Sequence, residues 1–102
     1  MKREFLISLN AHEKYVTSHM KTNSHKQYYT DMIGMIKEII KENTDPFLTI
    51  LEMQQEFSKV KQNPLFTNSA LKYKTMALEH AADILTTLEN RFLGELRERN
   101  HA

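Results

Sequence analysis

Leu71, Leu78, Leu85 and Phe92 stand seven residues apart, and a side chain that recurs every seventh position returns to nearly the same line on an α-helix. Ala81, Leu88 and Leu96 fill in that face, so the pattern predicts one amphipathic helix of about thirty residues, from about Asn68 to about Arg97. An isolated helix draws most of its stability from burying such a stripe, not from its own propensity. The stripe must therefore be covered by the rest of the chain or by another chain.

The remaining sequence has to supply that cover with few turns. Two glycines and two prolines in 102 residues leave room for only a small number of long elements, and the length fits one domain, 1–102. Apolar residues make up 40% and charged residues 26%, which suits narrow stripes with solvated backs. The expected fold is all-α: an antiparallel helical bundle of four helices with a long C-terminal helix.

Three further helices are legible. The first, about Lys2 to Met20, places Phe5, Leu6, Leu9, Val16 and Met20 on one face, with Glu13 intruding and Ile7 off it. The second, about His25 to Glu42, carries Tyr28, Tyr29, Met32, Ile33, Met35, Ile36, Ile39 and Ile40 over an arc of about 160°, wide enough for two neighbours. Ser24 and Gln27 match a capping box at its start. Gly34 inside it is expected to mark a close approach of two helices. The third begins at Asp45-Pro46, where the aspartate accepts from first-turn amides and proline has no donor to lose. It is expected to turn Phe47, Ile50, Leu51, Phe57 and Val60 inward and Leu48 outward, and to end near Gln62, before Pro64. Thr67 then caps the last helix, with Phe66 and Leu71 as a hydrophobic staple. Asn100 to Ala102 are expected to fray.

The lengths do not match. The last helix is about 45 Å long and the others about 25 to 29 Å, so its distal half, with Leu88, Phe92, Leu93 and Leu96, is expected to project from the bundle unless the first helix is staggered to cover it. Large apolar side chains on a projecting helix form a patch that monomers rarely leave in water.

No catalytic or metal signature competes with that surface. The chain has no cysteine, which leaves no thiolate nucleophile or zinc-thiolate site and fits a reducing compartment. His12 and His19 are two turns apart, too far to share an ion as an i, i+4 pair does, and Glu98-x-x-His101 is the single literal match to a di-iron helix motif. Glu52 and Glu56 read as a solvated face, and two glycines make no phosphate-cradling loop. We read the chain as non-enzymatic, without cofactor, metal or small-molecule substrate. The apolar stretch after Met1 is too short for a signal-peptide core, and no window has the roughly 20 apolar residues that cross a bilayer, which makes a cytoplasmic protein the expectation.

The functional expectation is a small protein-interaction module of adaptor, chaperone or inhibitor type, binding a partner protein or a second copy in a homodimer with a coiled-coil-like seam. Its expected contact residues are Leu88, Phe92, Leu93 and Leu96 on the last helix, with Met76 on the same helix and Tyr28 and Tyr29 on the second. Met32 is expected to fill the core. The alternative is a helical nucleic-acid-binding regulator using Lys72, Lys74, Arg91, Arg97 and Arg99 against phosphates. Balanced charge along the chain, net +1, disfavours it.

Overall fold

The computed structural model describes residues 2–43, 45–60 and 68–101; the side chains of residues 60, 68, 96 and 99–101 lie outside the description. The cap and staple expected at Thr67 and Phe66, and the stop expected between Gln62 and Pro64, also lie outside it. Four helices follow one another: α1 (Lys2–Ser18), α2 (Asn23–Glu42), α3 (Pro46–Val60) and α4 (Asn68–His101). No strand occurs among the described residues. α4 runs on through Asn100 to His101, past the boundary expected near Arg97 and through residues expected to fray.

Local chemistry sets the helix ends. Asp45 Oδ1 accepts from the amides of Phe47 (3.0 Å) and Leu48 (3.2 Å), so the expected cap of α3 forms. The expected capping box of α2 does not. The cap position is Thr22, whose extended backbone has no side-chain bond to the first turn. Ser24 already lies within the helix, and Gln27 donates instead to Asp31 Oδ1 at 2.6 Å. α1 stops at Ser18, two residues short of Met20, where the amides of His19 and Met20 donate three residues back, to Val16 O (3.1 Å) and Thr17 O (3.2 Å).

Sequence neighbours run antiparallel. Lys2 Nζ, at the start of α1, donates to the carbonyls of Lys41 (2.7 Å) and Asn43 (2.8 Å) at the end of α2, placing a cation where the helix leaves its carbonyls unpaired. α2 and α4 are parallel: His25 stacks on Tyr73 and Tyr29 meets His80. Those two helices pack most extensively on each other, while α1 and α3 occupy opposite flanks of the pair. α2 thus touches three helices, one more than its wide face suggested.

The core lies between α1, α2 and α4. Phe5 and Leu9 meet Tyr29, Met32, Ile33, Ile36 and Ile40, which meet Ala77, Leu78, Ala81, Leu85 and Leu88. Met32 fills the core as expected. Burying each large aliphatic side chain contributes about 1.5–3 kcal/mol relative to exposure. Glu13, the intruder on the α1 face, forms an ion pair at 2.7 Å with Lys37 of α2, both side chains about one-fifth exposed. α3 is rotated from its expected phase: Thr49, Ile50, Met53 and Phe57 face its neighbours, whereas Phe47 and Leu51 join Leu48 outside. A helix seated in the groove beside two partners takes the rotation that fits both, and Thr49 tolerates burial because its hydroxyl donates to Asp45 O at 2.7 Å. Gly34 marks no close approach, since a Cβ there meets nothing within 4 Å.

The length mismatch is real. Tyr29 stands opposite His80 and α2 ends at Glu42, level with about residue 93 of α4; Lys2 precedes His12, which meets the same His80, and reaches about residue 90. α3, with Ser58 beside Thr75, begins level with about residue 87. α4 continues about 12 Å past the furthest of these ends.

Candidate functional site

Three places in the molecule depart from a plain apolar-in, polar-out bundle. The first is polar and internal. The Tyr29 hydroxyl lies 2.9 Å from Nδ1 of His80, and the His12 ring meets His80 edge-on with centroids 4.7 Å apart. Burial pushes the Tyr29 phenol up to about 12, with the Glu13 carboxylate adding to the shift. Burial also pushes His80 below the ordinary histidine value, helped by His12 and opposed by Asp83 and Glu79. Two neutral groups at this distance share one hydrogen: the phenol donates to Nδ1 in the Nε2–H tautomer of His80, and accepts from it in the Nδ1–H tautomer. Nε2 of His12 is buried with no hydrogen-bond partner among the described residues. The cluster ties α1, α2 and α4 together. Among the described residues no three His, Asp or Glu side chains converge as a metal site would require.

The second place is an open groove of about 520 Å³ along the seam of α2 and α3. Met32, Met35 and Ile39 line one wall and Met53 and Phe57 the other; Asn43, Thr49, Glu52 and Glu56 edge it, and Lys74 of α4 contributes from one end. Thioether side chains repack readily, which makes such a wall adaptable to an incoming apolar surface.

The third is the end of the bundle where α4 outruns its cover. Phe92 continues the line of Leu78 and Leu85, which are 3% and 2% exposed, yet it is itself 50% exposed; Leu93 beside it is 45% exposed. Phe47, Leu48 and Leu51 of α3, whose first residues lie at the same end of the bundle, are also exposed.

The expected contact residues divide accordingly. Phe92 and Leu93 are accessible. The side chain of Leu96 lies outside the described residues. Leu88 is enclosed in the core at 9% exposure, because α1 reaches far enough to cover it; Ser8 and Leu88 flank the same cleft. Tyr29 is fully enclosed with its hydroxyl on His80, so in this fold it offers no surface to a partner, and Leu88 offers only its edge of that cleft. Tyr28 is half-buried. Met76 packs partly buried against the core, and among the described residues the exposed methionine is Met35. The groove itself was missed. Its signal was the width of the α2 face, since an arc that wide reaches past its neighbours and leaves Met35 and Ile39 at an open edge.

The cations proposed for nucleic acid do not share a face. Lys74 belongs to the α2/α3 groove, Lys72 stands 5.5 Å over the Tyr73 ring, and Arg91 edges the cleft between α1 and α4. Arg97 is exposed on the projecting end, and the Arg99 side chain lies outside the described residues. Among the described residues no helix is long and apolar enough to cross a membrane. Comparison with known families, curated proteins and solved structures gives no match.

Proposed function

We propose that this chain is a small non-enzymatic protein-interaction module, of adaptor, chaperone or inhibitor type, working in the cytoplasm and docking through the apolar end of its bundle. The observation that carries the reading is the half-exposed pair Phe92 and Leu93 on a helix that continues past the helices that cover it. Phe47, Leu48 and Leu51 are further exposed apolar side chains, on the first turns of α3. Large side chains held on rigid helices lose little conformational freedom on docking, and desolvating a few of them supplies most of the affinity of such contacts.

The test compares the wild-type chain with Phe92→Glu and Leu93→Glu, immobilised and exposed to an extract of the native host. A partner retained by the wild type and lost by both variants, with retention little changed by added salt, supports apolar docking. Equal retention by all three chains removes the reading. Retention of nucleic acid that falls steeply with salt favours the alternative regulator.

A further inference from the structure

Each of α1, α2 and α4 sends one titratable ring to the internal polar cluster, and the ring from α1 is the one that a movement can withdraw. His12 meets His80 edge-on with centroids 4.7 Å apart, and the Tyr29 hydroxyl lies 2.9 Å from Nδ1 of His80. With His80 neutral, the tautomer in which the phenol donates satisfies both groups. A proton on His80 removes that choice: Nδ1 becomes a donor, the hydroxyl has to accept, and its own hydrogen points into a fully enclosed site. A buried donor without an acceptor bears its full desolvation cost. Nε2 of His12 is already enclosed without a partner among the described residues, so the cluster has no spare acceptor there. α1 walls in the hydroxyl, since Glu13 lies close enough to act on Tyr29 and His12 meets the ring that Tyr29 bonds. Water reaches the hydroxyl once α1 leaves.

α1 is also the helix that the others can spare. α2 and α4 pack most extensively on each other and α3 closes their far flank, whereas α1 adds Phe5 and Leu9 to the fully buried core and joins α2 through residues 19–22. Its other ties are polar and partly exposed: Glu13 to Lys37, and Lys2 to the carbonyls of Lys41 and Asn43. His80 is faced by His12 and Glu13 from α1 and by Tyr29 and the Glu13-bound Lys37 from α2. On α4 itself stand Glu79 and Asp83, with Lys72 and Arg91 along the clefts on either side. From α3 the residues beside Glu79 are the uncharged Gln54 and Ser58. Glu79 and Asp83 favour a proton on His80, but both are exposed and screened, and burial together with His12 outweighs them. We infer that α1 is a pH-sensitive cover: protonation of the His12–His80 pair lifts it off α2 and α4 while α2, α3 and α4 stay folded together. Lifting α1 uncovers Leu88, one turn before Phe92, and lengthens the apolar line at the projecting end. That consequence rests on the docking reading above; the movement does not.

Amide hydrogen exchange, expressed as protection relative to the unstructured chain at each pH, reads α1 separately from the core. Protection over residues 5–17 is expected to lie below that of Ile33 to Ile40 and Ala77 to Leu85 at every pH. Between about pH 7.5 and about pH 5.5 it is expected to fall about tenfold, the change produced by one histidine of ordinary value 6.5 that takes its proton only after α1 leaves. The core is expected to lose the same factor from its higher level, because complete unfolding frees the same group. His80→Gln keeps a hydrogen-bonding side chain but does not titrate, and should bring the α1 ratio between the two pH values close to one. Glu13→Gln should lower α1 protection at both pH values and keep the ratio, and His19→Gln, at the exposed end of α1, should also keep it. Circular dichroism at the higher pH establishes that each variant folds. If His80→Gln does not, His12→Gln, which leaves the Tyr29–His80 bond in place, carries the same test with a ratio below that of the wild type. Equal protection in α1 and the core would mean that they open only together and overturns the inference. So does an α1 ratio near one in the wild type, a ratio undiminished in the histidine variant, or one lost in Glu13→Gln. The experiment needs no partner, so its failure leaves the docking reading standing.

Discussion

The two flanks of α2 are built in opposite ways. On the α1 side, polar groups are inside: Tyr29 bonds His80, His12 meets the same ring, and Glu13 pairs with Lys37. On the α3 side, apolar groups are outside: Met35 is exposed, the groove beside it is open, and Phe47 and Leu51 face solvent. Buried polar contacts are satisfied in only one arrangement, so the first flank specifies how α1 sits on α2 and α4. An adaptable apolar groove specifies little about its occupant until one arrives. The molecule thus closes one side with directional bonds and leaves apolar side chains in solvent on the other.

The largest expected effect that would break this contrast lies in the core. Phe5→Ala removes a fully buried ring of α1 and should lower unfolding free energy by about 3–5 kcal/mol, whereas Phe47→Ala on α3 should stay within about 0.5 kcal/mol. Urea denaturation of both variants measures the difference. Similar values would mean that the two flanks are equally packed.

Tyr29→Phe is expected to cost about 1–2 kcal/mol, since it leaves the shape intact and Nδ1 of His80 without its hydrogen-bond partner. The same contact has a pH signature. His80 titrates lower in the folded chain than in the unfolded one, so the unfolded state binds more protons just below the ordinary histidine value of 6.5, and stability should fall as pH drops through that value. Tyr29 is raised from 10.0 to about 12, so the folded state holds the proton longer, and stability should also fall as pH rises above 10. Thermal melts across pH should show the acid limb flattened in His80→Gln and the alkaline limb flattened in Tyr29→Phe.

The smallest effect concerns α2 itself. Gly34→Ala should stabilise the chain by up to about 1 kcal/mol, because the added methyl meets nothing and the helix gains propensity. A loss of stability would restore the close helix approach that the glycine first suggested.

Some features decided by neighbouring residues were legible in the sequence, although the Ser24–Gln27 capping box was not among them, and most features decided across the fold were not. Asp45 and Pro46 announce the start of α3 because the cap they form reaches only two and three residues ahead. The projecting end was legible because it follows from comparing helix lengths. The rotation of α3 was not, since it depends on how two other helices receive it, and hence Phe47 and Leu51 were turned the wrong way. Glu13 looked like a flaw in the α1 face because its partner, Lys37, arrives from the next helix. Tyr29 looked like a surface anchor because His80 is 51 residues away. Leu88 was assigned to the free end because the register of α1 against α4 decides where cover stops, and periodicity carries no register between helices.

Amide hydrogen exchange along α4 tests most directly whether the far end of this helix outruns the cover that the other three helices give it. Protection is expected to persist through Leu88 and to drop steeply after Phe92. Protection that is uniform along α4 would contradict it.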